Sequence, residues 1–442
     1  MQRKATILTT LGILALAGCS ERDPILPGER LNVREVLETR AGTDAAEVVN
    51  QSLPLSVPAA VSNASWAQSP VSPGVRVSNA ALSAVPQPLF ATSIGTGDTR
   101  RTRLNADPVV ADGRIYTMDS QSVVRATAAN GEALWSVDLT PAREGAAVTQ
   151  GGGLARGGNA LFVASGYGEV VALDPATGAE LWTQKLGGTA TGAPSYADGL
   201  VYIVSGDTTG WAIEADTGRV RWQMEGQGDV NNVAGAPAPA VGDQHVVFAF
   251  GNGTIQGAFR EGGLRLWSTE LVGRRNGVTV AGIDDITGDP LISGGTVYAG
   301  NHSGRVAAFT LYDGERLWSA EYGALGPLWP AGDSVFFVSD RHQLVRLNAN
   351  TGTPVWEIDL PGYKPTRRPN KRRADAYANL GPVMAGGRLW VAGSDGQLRG
   401  FDPASGAQVA SIEIPGGATT RPVVAGNTLY VVSKKGVLHA YR

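Results

Sequence analysis

Short apolar runs rich in β-formers, broken by glycine-containing turns, recur from about residue 85 to the end of the chain. Residues 192–224 show the unit. An apolar run at 194–196 meets Asp198-Gly199, a hairpin signal. A β-rich run at 200–204 is broken by Gly206-Asp207. A third run, 211–214, turns at Asp216-Thr217-Gly218 into a fourth at 220–224. Four alternating runs joined by tight turns predict a four-stranded antiparallel sheet. Each unit closes on a cassette whose clearest copy runs from Ala172 to Trp182, and its Gly-x-x-x-Trp end returns at Gly131/Trp135, Gly218/Trp222, Gly263/Trp267, Gly314/Trp318 and Gly352/Trp356.

Eight units are countable. Their second-strand cores are residues 114–116, 160–163, 200–203, 245–248, 296–298, 334–338, 388–391 and 428–431, each preceded by a glycine turn. One sheet cannot bury both faces, but sheets stacked around an axis can, leaving short edges only. The expected fold is therefore all-β, an eight-bladed β-propeller of four-stranded antiparallel blades. The last unit stops at Arg442 before its fourth strand. Residues 87–94 read as an orphan outer strand, with Phe90 where other units carry Trp, so an N-terminal strand is expected to complete the last blade. Trp135, Trp182, Trp222, Trp267, Trp318 and Trp356, with Phe90, are expected to be structural. Two cassettes look degenerate: Arg125 and Arg346 stand for the leading Ala, and Ala410 for a seventh Trp.

Fifty-nine glycines suit so many turns. A formal net charge of −3 argues against nucleic acid as a partner. A single cysteine excludes an intrachain disulfide, and no apolar run is long enough to predict a membrane-spanning helix. The N-terminus carries an address. Arg3 and Lys4 precede an apolar stretch at 7–17, and Leu16-Ala17-Gly18-Cys19 resembles a bacterial lipobox. The organisation expected is a signal peptide over 1–18, a lipidated Cys19 with a mostly disordered tether over 19–84, and the propeller over 85–442. Acyl chains on Cys19 would anchor the chain to a membrane. Ser20 in place of Asp matches the outer-membrane sorting pattern of enterobacterial lipoproteins. Trp66, alone in the Pro/Ala/Ser-rich tether, is expected to cap the propeller rim.

The cassette Ala-x-Asp-x-x-Thr-Gly-x-x-x-Trp at 172–182 resembles the tryptophan-docking motif of the quinoprotein alcohol dehydrogenase-like propellers, whose members include both pyrroloquinoline-quinone dehydrogenases and non-enzymatic scaffolds. Eight such units behind a lipobox resemble the outer-membrane protein assembly factors. That resemblance implies no catalysis and no cofactor. It implies a BamA-like outer-membrane barrel protein with POTRA domains as partner, nascent outer-membrane proteins as further contacts, and a place on the periplasmic face of the outer membrane. It also implies partner contacts on two adjacent inter-blade loops. The first corresponds to Asn231-Asn232-Val233-Ala234-Gly235, where Asn231, Val233 and Ala234 are the candidates. The second is Asp285-Ile286-Thr287-Gly288-Asp289-Pro290, where Asp285, Thr287 and Asp289 are candidates with Asp284 beside them and Arg274 and Arg275 leading in.

Other groups are weighed on their own chemistry. Asp284, Asp285 and Asp289 lack the alternating ligand spacing of a compact calcium loop, so no metal is expected. Lys364, Arg367, Arg368, Lys371, Arg372 and Arg373 form a basic run flanked by Tyr363 and Tyr377, suited to an acidic partner or to anionic head groups. The four histidines have no metal-ligand spacing. The alternatives are a quinone-dependent dehydrogenase, whose resemblance would require a vicinal disulfide that one Cys cannot form, and an envelope polysaccharide-binding propeller. Trp211, Trp329 and Trp390 are the aromatic candidates for the latter, with burial in the core as their default.

Overall fold

The computed structural model describes residues 48–144, 151–206, 208–227, 236–273, 286–365 and 375–442. They form eight four-stranded antiparallel sheets, with no helix among the described residues: an eight-bladed β-propeller. Blades 1 to 7 begin with innermost strands Val109–Ala111, Gly152–Gly157, Ser195–Ala197, Ala240–Val241, Leu291–Ser293, Trp329–Ala331 and Asn379–Ala385, and each runs outward in sequence order. Blade 8 takes its three inner strands from the C-terminus and its outer strand, Pro88–Ser93, from upstream of blade 1. Phe90 pairs with Ala440 and Ser93 with Val437. Blade 8 is thus built from both ends of the propeller chain, and ring closure needs strand pairing across that seam.

The blades are joined by one repeated contact. Each outer-strand Trp lays its indole on the turn glycine of the next blade. Trp135 meets Gly178, Trp182 meets Gly218, Trp222 meets Gly263, Trp267 meets Gly314, Trp318 meets Gly352 and Trp356 meets Gly406; a Cβ on any of these glycines would fall within 3.1 Å of the ring. The six glycines have φ between +70° and +77°, where L side chains are strained. Each indole N–H donates to the carbonyl three residues before that glycine: Pro175, Ala215, Arg260, Leu311, Ala349 and Pro403, at 2.7–3.3 Å. The buried ring therefore leaves no orphan donor. Phe90 packs on Gly131 in the same way, with no polar atom to satisfy.

The leading Ala of the cassette is the residue directly across the sheet from the Trp. Ala172 pairs with Trp182, Ala212 with Trp222 and Ala308 with Trp318, each beside a register shift that marks a bulge. Gly257 takes the same place opposite Trp267, and opposite Trp356 stands Arg346, whose guanidinium is turned to the strap. In blade 1 the partner of Trp135 is Ala126, so the leading Ala is present there and Arg125 is its neighbour. The offset comes from a shorter turn: Gly131 N–H bonds Ala128, three residues back, whereas Gly178 bonds Asp174, four back. In blade 7 Ala410 lies opposite Gly400, and Trp390 of the second strand fills the space the absent indole leaves. Trp390, Trp329 and Trp211 are all buried.

The expected tether boundary at residue 84 moves. Residues 48–84 are part of the propeller unit, which runs from Val48 to Arg442. From Asn63 to Ala80 the segment touches the innermost region of every blade. Asn63 accepts from Gly426 N–H, Trp66 exchanges two backbone bonds with Val110, and Ala67 accepts from Arg156. Gln68 exchanges two bonds with the Tyr196 backbone. Ser72 accepts from Val241, Val71 accepts from Ile292, Arg76 donates to Pro330, and Ala80 pairs with Ala385. All these partners sit at or next to the hairpin between first and second strands, so the segment is a strap closing one end of the central channel. Trp66 is 6% exposed and stacks on Trp329 at 6.2 Å.

Sequence composition suggested disorder here because the strap has no period of its own; its backbone groups are satisfied by the ring. Arg346 shows how a cassette departure serves it. The guanidinium, 2% exposed, donates to the carbonyls of Leu53, Pro54 and Ala404 and to Ser334 Oγ.

Two outcomes follow. Trp182→Ala should lower the free energy of unfolding by about 3–5 kcal/mol, and Gly218→Ala should also destabilise because its φ of +71° and the ring 2.8 Å from the new Cβ both oppose it; denaturant titration reads both. Burial holds the His439 imidazole below its ordinary value of 6.5 despite an opposing backbone hydrogen bond at Pro415, and His342 is lowered by burial in the same way. Below 6.5 the unfolded chain therefore takes up protons that the folded chain does not, and stability falls as the pH drops through that window. The denaturation midpoint should be lower at about pH 5 than at about pH 7.5, and His439→Gln should flatten that difference.

Candidate functional site

The connections between blades, and the turns between second and third strands, lie together on the face opposite the strap. The channel opens on this face. Its cavity, about 420 Å³, is lined from all eight blades and floored by Trp66, Gln68 and Ser69 of the strap. A volume of that size is typical of small-molecule pockets, so its polar groups merit inspection.

They are largely taken. Arg421, just before the innermost strand of blade 8, reaches Asp107 of blade 1 through its backbone N–H and Nε, and Asp289 of blade 5 through Nη1 at 2.9 Å. Asp289 also accepts from Ala238 N–H of blade 4 at 2.9 Å and from Ser69 Oγ of the strap at 3.0 Å. Burial opposes the charge on Arg421, but the two carboxylates outweigh it and hold the guanidinium above its ordinary value. One network thus joins blades 1, 4, 5 and 8 to the strap. Among the described residues, no group of three or more His, Cys, Asp or Glu is placed to hold a metal.

The residues expected to contact a partner separate in space. Asp289, 9% exposed, belongs to this channel network and not to an outward loop surface. Ile286 is fully buried in the core shared by blades 4 and 5. Thr287 is half-buried, and its hydroxyl donates to Ala324 O. The chain has to descend here into the innermost strand of blade 5, which carries 286–290 inward. Asn231, Val233, Ala234, Arg274, Arg275, Asp284 and Asp285 lie outside the described residues, as do Cys19, Arg367, Arg368, Lys371, Arg372 and Arg373. Lys364 is described: its N–H donates to Asp375 O, Tyr363 pairs with Ala376, and Tyr377 N–H donates to Gly362 O, so residues 362–364 and 375–377 form a short antiparallel stem. His342 packs edge-on against Tyr363 at 5.3 Å.

Arg421 and Asp107 escaped sequence reading because nothing in either motif marks a pair more than 300 positions apart. The sole hint was an Arg and an Asp each just ahead of an apolar innermost strand.

The blade count, the docking cassettes and the loop face can now be set against known proteins. The family model described as outer membrane protein assembly factor BamB matches residues 119–358 and 346–442. The chain belongs to that family. Relatives carrying the same name include those of Escherichia coli strain K12, 25% identical over 364 residues (80% of this chain, 88% of the relative), and Moranella endobia, 24% identical over 349 residues (76% and 84%). Among solved structures, BamB from Moraxella catarrhalis aligns with a TM-score of 0.61 at 21% identity, covering 80% of this chain and 98% of that one. The quinohemoprotein alcohol dehydrogenase from Comamonas testosteroni aligns with a TM-score of 0.63 at 15% identity, covering 86% and 81%. At these identities the structural likenesses show the propeller fold that all three share.

Replacing Arg421 by Met leaves Asp107 and Asp289 facing each other without a cation. The expected cost is about 3 kcal/mol of stability, and hydrogen exchange at residues 66–72 of the strap should accelerate ahead of global unfolding.

Proposed function

We propose that this chain is a non-enzymatic, lipid-anchored scaffold of the outer-membrane β-barrel assembly machinery, held by Cys19 at the periplasmic face and binding a BamA-like partner through its loop face. The observation that carries this reading is the family match along the propeller to an outer membrane protein assembly factor. Curated relatives with the same description cover four-fifths of the chain, whereas the dehydrogenase likeness is one of fold alone.

The architecture supports the role. Seven docked aromatic rings and a strap make the ring stiff, and stiff rings present loops in a fixed arrangement. The strap occupies the hairpin end of the channel, which leaves the loop face as the surface where long inter-blade connections cluster. The described ends of the connections before blades 4 and 5 meet where Ala238 N–H donates to Asp289, so residues around Asn231–Ala234 and Asp284–Asp285 would form one contact area. Thr287 stands at its inner edge. Asp289 is assigned instead to holding the channel together. No chemistry is required of the site: the chain supplies a preformed surface, and affinity comes from loop side chains meeting a partner domain.

Co-purification from detergent-solubilised envelopes tests this. The lipidated wild-type chain should recover a BamA-like barrel protein, and Asp285→Lys should recover at least about tenfold less, as expected for a charge reversal at an interface centre. Equal recovery by both would move the contact elsewhere on the loop face. Failure of the wild-type chain to recover a barrel protein would overturn the scaffold reading.

A further inference from the structure

A second feature of the loop face lies across the ring from the connections before blades 4 and 5. The connection from the outer strand of blade 8 to blade 1 makes a tight, internally bonded turn. Thr99 N–H donates to Thr102 O at 2.8 Å, and Thr99 Oγ1 accepts from the N–H groups of Arg101 and Thr102 at 3.2 and 3.0 Å. Thr102 is fully buried, Asp98 Oδ1 accepts from Leu104 N–H, and Ser120 Oγ donates to Gly97 O at 2.6 Å. The tip of this fixed turn exposes Arg100, Arg101 and Arg103.

A second turn, Lys434-Lys435-Gly436 of blade 8, lies flush against it. Asp98 N–H donates to Lys434 O at 2.7 Å, and a Cβ on Gly97 would sit 2.2 Å from that oxygen. Lys434 Nζ donates to Ser394 O of blade 7, and Lys435 is exposed. The two turns thus bring together five cations and one acid, Asp98, whose side chain is 12% exposed and already faces Arg103. This concentration of positive charge stands on a chain whose net charge is −3.

We propose that these two turns dock the propeller onto the anionic phospholipid head groups of the membrane to which the chain is tethered. Three physical points select that occupant over an acidic protein. Protein interfaces are anchored by buried aromatic or aliphatic side chains, and residues 94–108 and 433–437 carry no exposed large apolar side chain among the described residues. Basic residues next to an anionic surface each contribute about 1 kcal/mol without shape complementarity, which suits a convex turn. A weak surface contact also becomes significant only when a tether keeps it close. This tethering argument rests on the lipid-anchored reading above; the contact itself does not require the acyl group. Because these turns belong to blades 8 and 1 and the proposed partner contacts to the connections before blades 4 and 5, both can be occupied together.

The test uses the full mature chain carrying Cys19→Ser, so that no acyl chain contributes, in co-sedimentation with vesicles. The chain should bind vesicles of phosphatidylglycerol in phosphatidylcholine, bind pure phosphatidylcholine far less, and lose binding as salt is raised. The variant Arg100→Glu/Arg101→Glu/Lys435→Glu should weaken that binding by about a hundredfold, while Arg219→Glu/Arg221→Glu on blade 3, remote from the turns, leaves it in place. Matching thermal unfolding curves establish that both variants fold. Absence of binding, equal binding to neutral vesicles, or unchanged binding by the triple variant each overturns the proposal. So does tighter capture of polyglutamate than of vesicles, which would assign the turns to an acidic polypeptide. The outcome is separable from the scaffold reading, since recovery of a barrel protein does not depend on this vesicle contact.

Discussion

The structure depends on an indole ring lying on a glycine of the neighbouring blade. The contact couples three requirements that would otherwise be independent. The glycine must adopt a left-handed conformation to turn the chain, it must lack a side chain to admit the ring, and the carbonyl three residues earlier must face the indole N–H. A blade that satisfies all three fixes both its own last turn and its distance from the next blade. Repeated round the ring, this sets the blade spacing and so the width of the channel. Where the indole is missing, in blade 7, a second-strand Trp390 restores the volume, which shows that the constraint is on packing and not on one residue type.

The channel carries the second constraint. An eight-fold ring leaves an axial hole, and a hole lined by strand edges would leave backbone groups exposed along both ends. The strap resolves one end by giving all eight blades a common partner, and the Arg421 network ties that strap to four blades at once. Buried charge networks are weak contributors to net stability yet costly to break. Here the arrangement makes the strap, the channel wall and the seam blade interdependent. The segment from Val48 is consequently joined to the core of the propeller and not merely to its rim.

The proposed functional surfaces lie on the opposite face. Connections set on a stiff ring are the division of labour expected of the proposed scaffold. Two regions of that face differ in character: the connections before blades 4 and 5 carry the proposed partner contacts, and the turns at blades 8 and 1 present rigid positive charge with no apolar anchor among the described residues. A protein partner and a membrane surface ask for these two chemistries respectively.

The repeat period, the four-strand unit, the blade count and the completion of blade 8 by residues near Phe90 were legible in the chain itself. All are consequences of local turn chemistry and of alternation, which act over a few residues and leave a written pattern. The docking Trp and Gly were legible for the same reason. What the chain did not show was everything made by residues far apart in sequence. The strap has no internal period, so residues 48–84 read as tether until the ring supplied their hydrogen-bond partners. Arg125 reads as a cassette position only because one turn is a residue shorter. Arg421, Asp107 and Asp289 met only when blades 1, 5 and 8 closed on one axis, which drew Asp289 from an expected loop surface into the channel. Arg100 and Lys435, over 330 positions apart, became one patch by the same closure. Ring closure is a long-range event, and the contacts it creates carry no local signature for sequence reading to find.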